Sequence, residues 1–157
     1  MPRTNSPFPA AAVPISRWIA TGLMKQKTDQ SQRGERRRNR LTVLVADDDP
    51  AQRQEIREYL TRLGIQVLEA EDGIEAVAQI DRYNPALVVM DIRMPHCDGI
   101  RAAEIALSLS PRTLVILMSG HPEELRRAEA SGCGAYTLLQ KPIGLSRLGD
   151  HVSVLIG

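Results

Sequence analysis

The chain has 157 residues, 43% of them hydrophobic and 25% charged, which is enough for one compact domain plus a tail and too apolar for wholesale disorder. No apolar run approaches the roughly 20 residues needed to span a bilayer, and aromatics at 3% are too few for a base-stacking surface. The net charge of +1 hides two unlike segments: residues 1–40 carry +7, with nine Lys/Arg against two acids, and residues 41–157 carry −6.

Residues 1–40 read as a basic, disordered arm. Four prolines fall in the first fourteen positions, and Pro14 and Arg17 interrupt the only apolar stretch, which argues against a signal peptide. The basic run at 33–40 offers contact to nucleic acid or an anionic membrane; a solvated tail is the favoured reading. Cys97 and Cys133 are too few for a disulfide framework or a four-thiolate zinc site, and they read as reduced thiols in a cytoplasmic protein.

The body opens with an apolar, β-branched run over 41–46, a buried strand. Asp49-Pro50 supplies an N-cap and a first-turn proline, and Ile56, Tyr59, Leu60 and Leu63 follow at helical spacing until Gly64. A strand over 65–70, a turn at Asp72-Gly73 and a helix over 74–83 come next, closed by Asn84-Pro85. The apolar run 86–90 is a third strand, and a loop with Pro95 leads to Asp98-Gly99 and a helix over 100–109. Strand 113–118, a short helix from Pro122 to Gly132, strand 135–139 and a last helix facing inward through Leu148, Val152 and Leu155 complete the chain. Five strands alternating with five helices, most strands apolar throughout, predict an α/β fold: a doubly wound parallel sheet between helical layers.

In such a sheet the strand C-termini share one edge, where sites form. Asp47, Asp48 and Asp49 follow the first strand, Asp91 the third, Ser119 the fourth and Lys141 the fifth. Clustered carboxylates raise one another's pKa unless a counter-ion is present. Asp47, Asp48 and Asp91 suit Mg²⁺ better than zinc, because magnesium takes oxygen ligands and keeps several waters. A carboxylate beside Mg²⁺ can act as a nucleophile toward phosphorus, with Lys141 and Ser119 holding phosphoryl oxygens. Lys141 is the single lysine after residue 40, a compact charge in a segment that otherwise uses arginine. Asp49 and Asp98 read as helix caps, and Ser119 reads equally as a site hydroxyl or a cap for the helix from Pro122.

These pieces together resemble the response-regulator receiver domain: Leu44-Val45-Ala46-Asp47-Asp48-Asp49-Pro50, Val88-Val89-Met90-Asp91-Ile92-Arg93-Met94-Pro95 with Asp98-Gly99, Leu117-Met118-Ser119-Gly120, and Leu139-Gln140-Lys141-Pro142-Ile143. The resemblance covers residues 41–157 and implies a flavodoxin-like five-stranded sheet of order 2-1-3-4-5 with five helices. It implies Asp91 as phospho-acceptor, with Lys141 and Ser119 as the essential lysine and the switch hydroxyl. It also implies Mg²⁺ held by Asp48, by Asp47 largely through water, by Asp91 and by the backbone carbonyl of Arg93.

The implied function is to take a phosphoryl group from phosphohistidine on a sensor histidine kinase or a histidine phosphotransfer protein. The protein would then signal through changed protein contacts, with no turnover of other substrates and no output domain. Leu138 stands where the family often carries an aromatic residue; Tyr136 lies two positions earlier at the same strand parity, some 6–7 Å along the chain. Two other readings compete. One is a phosphorylation-independent interaction module. The other is a haloacid-dehalogenase-type phosphatase using Asp47 and Asp49, against which Pro50 and the unemployed Asp91 stand.

Overall fold

The computed structural model describes residues 42–156, so the expected basic arm over 1–40 lies outside the described residues. Five strands, β1 (Thr42–Ala46), β2 (Gln66–Ala70), β3 (Leu87–Asp91), β4 (Leu114–Ser119) and β5 (Thr137–Gln140), alternate with five helices, α1 (Pro50–Arg62), α2 (Gly73–Tyr83), α3 (Gly99–Leu109), α4 (Pro122–Ser131) and α5 (Leu145–Ile156). Every strand pairing is parallel and the sheet order is β2-β1-β3-β4-β5, the expected doubly wound arrangement.

Alternation along each strand splits the core into two layers. Leu44, Val88, Met90, Val115 and Leu117 pack with Val77 and Ile80 of α2, Ala102 and Ile105 of α3, and Ala128 of α4. Their neighbours Val43, Val45, Val89, Ile116 and Met118 face the other way, onto Ile56 and Leu60 of α1 and Leu148 and Val152 of α5. Because both faces are covered, β1 and β3 are buried at all their residues, which is why they read as unbroken apolar runs.

The helix starts are set by local chemistry. The Asp49 carboxylate accepts hydrogen bonds from the Ala51 and Gln52 N–H groups. Asp72 and Asp98 likewise accept from Glu75 and Arg101, satisfying first-turn donors that have no partner within the helix. At α2 the Glu75 carboxylate also reaches back to accept from the N–H of Glu71, the residue before the cap. Asn84 ends α2 in the left-handed region (φ 44°), and Pro85 prevents continuation.

Several boundaries differ from the sequence pattern by one or two residues, three of them near the strand ends that matter most. β5 starts at Thr137 rather than 135, because the chain is still turning through Gly132 and Gly134, both at positive φ. Asp91 and Ser119 are the last residues of β3 and β4 instead of the first residues beyond them, held by pairing with Met118 and Gln140. Tyr136 therefore lies before β5. Its ring is 47% exposed and meets the His151 ring of α5 edge-on, while Leu138 packs into the layer formed with α2, α3 and α4. Common parity does not give these two side chains a common environment.

Cys97 and Cys133 are both buried free thiols. Burial first, and the nearby Asp98 carboxylate second, push the Cys97 thiol up to about 12. At pH 8 its thiolate fraction is then on the order of one in ten thousand. A disulfide reagent added to the native protein at pH 8 is expected to leave Cys97 unmodified until denaturant is added. Rapid stoichiometric modification without denaturant would show that the loop carrying it opens freely.

Candidate functional site

The parallel arrangement delivers the C-terminal ends of four strands to a single cleft. β1 runs out into Asp47 and Asp48, β3 ends at Asp91, β4 ends at Ser119, and Lys141 follows β5. They line a cavity of about 660 Å³ together with Arg93. Asp49 also borders it, but its carboxylate is turned to the α1 N–H groups and to the Gln52 amide. That is the capping role expected from Asp49-Pro50.

Lys141 organises the acids. Its Nζ lies 2.8 Å from Asp47 Oδ2 and 3.3 Å from Asp91 Oδ2, one ammonium between two carboxylates of different strands. Asp47 is fully buried; its other oxygen accepts the Asp49 N–H at 2.9 Å. Burial by itself would lower the Lys141 pKa, but the hydrogen bond and charge of Asp47, reinforced by Asp91, hold it above the ordinary lysine value. Burial raises the Asp91 carboxyl above the ordinary aspartate value, and the charge of Asp47 adds to this; Lys141 and the Arg93 N–H offset only part of it. A raised carboxyl beside a second buried acid is a condition that a further cation in the cleft would relieve.

The donor set fits such a cation. Asp47, Asp48 and Asp91 each offer a carboxylate oxygen within 4.8 Å of the others, two from buried residues and one from the exposed Asp48. Three carboxylate oxygens lining one cleft are the chemistry of a hard divalent ion that retains waters.

Two contributors were not read from the sequence. Arg53 of α1 donates from one terminal nitrogen to the Asp47 backbone carbonyl at 2.6 Å, while its Nε meets Glu69 of β2 at 3.3 Å, so the loop bearing the acids is tied to helix and sheet. Glu124 of α4 accepts the Ser119 hydroxyl proton at 2.6 Å and pairs with Arg93 at 3.0 Å. Partial burial pushes the Glu124 carboxyl up, but the Ser119 hydrogen bond and the Arg93 guanidinium outweigh it and hold the group below the usual range. Neither residue carries a sequence signature: each is an ordinary charged residue on a helix or loop, and its partner lies on another element. Ser119 is not the cap of α4. His121 occupies that position without a side-chain capping bond, and the Ser119 Oγ accepts the His121 N–H at 3.0 Å.

A parallel sheet of this order with an acid–lysine–hydroxyl cleft at its strand ends defines a doubly wound α/β domain built around an acidic, cation-suited site. The chain belongs to the response regulator receiver domain family, whose model matches residues 43–153. Among curated relatives it is 38% identical over 116 residues to the transcriptional regulatory protein PdtaR of Mycobacterium tuberculosis, covering 73% of this chain and 56% of that protein. It is 36% identical to protein-glutamate methylesterase/protein-glutamine glutaminase 4 of Myxococcus xanthus, covering 66% of this chain and 30% of that one. The chain thus matches about a third to a half of the length of these relatives. The receiver domain of the response regulator NarL from Mycobacterium tuberculosis superposes with a TM-score of 0.65 at 30% identity, over 74% of this chain and 95% of that one. A CheY-like receiver domain from Methanospirillum hungatei shares the fold, with a TM-score of 0.69 over 73% of this chain and 92% of that one at 24% identity. Among the described residues no helix is long and apolar enough to cross a membrane.

Proposed function

We propose that the body of this chain is a phospho-accepting receiver of a two-component or phosphorelay system, with Asp91 as acceptor. The observation that carries this reading is the Lys141 ammonium set between Asp47 and Asp91 inside the acidic cleft. An Asp91 carboxylate oxygen forms a bond to phosphorus while the bond from phosphorus to the donor's imidazole nitrogen breaks. That nitrogen keeps the electron pair and takes a proton, and Asp91 becomes an acyl phosphate. Lys141 steadies the transferred oxygens electrostatically, and its contact with Asp47 fixes it in place for that task.

Asp48, Asp47, Asp91 and the Arg93 backbone carbonyl would hold Mg²⁺, which supplies neutralisation of the charge gathered at the transferring phosphoryl group. The donor would be a sensor histidine kinase or a histidine phosphotransfer protein, and the protein would work in the cytoplasm, where such donors present their phosphohistidine. Asp49 argues against the phosphatase reading: the acid that reading requires is committed to capping α1.

Incubation with acetyl phosphate, with and without Mg²⁺, followed by mass mapping tests the proposal. It predicts one acid-labile phosphoryl group on Asp91 that requires the metal. Labelling elsewhere, or continuous release of phosphate from generic esters, would refute it. In a calorimetric Mg²⁺ titration, Asp48→Ala is expected to weaken binding at least about tenfold, whereas Asp49→Ala is expected to cost helix stability of about 1 kcal/mol and leave the metal largely in place. The reverse order would make Asp49 the ligand.

A further inference from the structure

The Ser119 hydroxyl has a single proton, and in this structure that proton is given away. Its acceptor is Glu124 Oε2 at 2.6 Å, within the range of hydroxyl-to-carboxylate bonds, which are about twice as strong as neutral ones. Ser119 itself is buried at the end of β4, one strand over from Asp91, and it lines the same cleft. A hydroxyl bonded to Glu124 has no proton to offer an oxygen on Asp91.

Glu124 is well held for this task. Its side chain is only 13% exposed, and its other oxygen takes the Arg93 guanidinium through Nε and a terminal nitrogen, both at 3.0 Å. It lies in the first turn of α4, where the helix end favours a negative charge. Arg93 is two residues beyond Asp91. One network therefore connects the loop after β3, the end of β4 and the start of α4.

We propose that Glu124 is a positioning residue acting through Ser119: it competes with the phosphoryl group on Asp91 for the Ser119 hydroxyl proton, and so sets how strongly the resting state resists switching. This rests on the receiver reading above. When the phosphoryl group takes the proton, Glu124 loses its hydrogen bond to the end of β4.

The test is a double-mutant cycle on the full chain, titrated by calorimetry with beryllium fluoride in Mg²⁺ as a non-covalent phosphoryl mimic. Glu124→Gln keeps the volume and Glu124→Ala removes the acceptor, and melting temperatures confirm that both variants fold. With Ser119 present, Glu124→Ala is expected to tighten beryllium fluoride binding about tenfold, and Glu124→Gln, whose amide oxygen still accepts the proton but without charge, by a smaller factor. In a Ser119→Ala background the same substitutions are expected to change it less than about twofold. Amide spectra should show Gly120 and His121 of the free Glu124 variants shifted toward their positions in the ligand-bound parent. Equal tightening in both backgrounds would mean that Glu124 acts by charge alone, and no tightening would mean that it restrains nothing; either result overturns the proposal while leaving the receiver reading intact. If the parent chain fails to bind beryllium fluoride with Mg²⁺, both fall together.

Discussion

Replacing Asp91 with Asn is expected to reduce phosphoryl incorporation from near-stoichiometric to background. The amide has almost the same volume and keeps the strand pairing with Met118, but it has no nucleophilic oxygen to form the acyl phosphate. Among the cleft acids, Asp47 is fully buried and engaged by Lys141 and the Asp49 N–H, and Asp49 caps α1. The same substitution has an expected thermodynamic signature in metal-free buffer. Burial raises the Asp91 carboxyl in the folded state, so the folded protein binds that proton more tightly than the unfolded chain does. Stability lost to this group is therefore fully expressed above its folded-state pKa and absent below the ordinary aspartate value. Asp91→Asn should melt higher than the parent at neutral pH, and the gap should close as pH falls into the acid range. Undiminished labelling of the variant would remove Asp91 as acceptor, and a gap that widens on acidification would contradict the assigned direction of its shift.

The second large effect lies at Gly99, the first residue of α3. A β-carbon there would run into the Asp91 carbonyl oxygen and come within 2.8 Å of the Ile92 Cα, backbone atoms at the last residue of β3 and the one just after it. The Gly99 N–H also donates to the Ile92 carbonyl at 2.8 Å, so helix and strand cannot easily separate. Gly99→Val is expected to cost about 3 kcal/mol, a drop in melting temperature on the order of ten degrees. Phosphorylation of the folded fraction should slow as well, by up to about a hundredfold, because the displaced backbone is that of Asp91, the proposed acceptor. A variant that melts and labels like the parent would show that this contact yields without consequence.

Among the described residues the sequence by itself determined the order and type of each element, since the apolar runs, the Asp caps and the Asn84-Pro85 stop act over a few residues. It also placed Asp47, Asp48, Asp91, Ser119 and Lys141 at one edge, because a parallel sheet forces strand ends together whatever its loops do. Tertiary structure alone decided how those groups are partnered. Lys141 touches Asp47 across 94 positions of chain, and Ser119 gives its proton to a helix residue that nothing in the local pattern distinguishes. The need for glycine at 99 was equally hidden: it arises from the backbone of β3 passing behind α3, not from a turn at that residue. Tyr136 makes the same point from the other side. Strand parity put it with Leu138, but the late start of β5 leaves its ring at the edge of the sheet against His151. Local signals act through the few residues nearest in sequence, whereas a hydrogen-bond partner or a close backbone approach is chosen by packing, which the linear pattern does not encode.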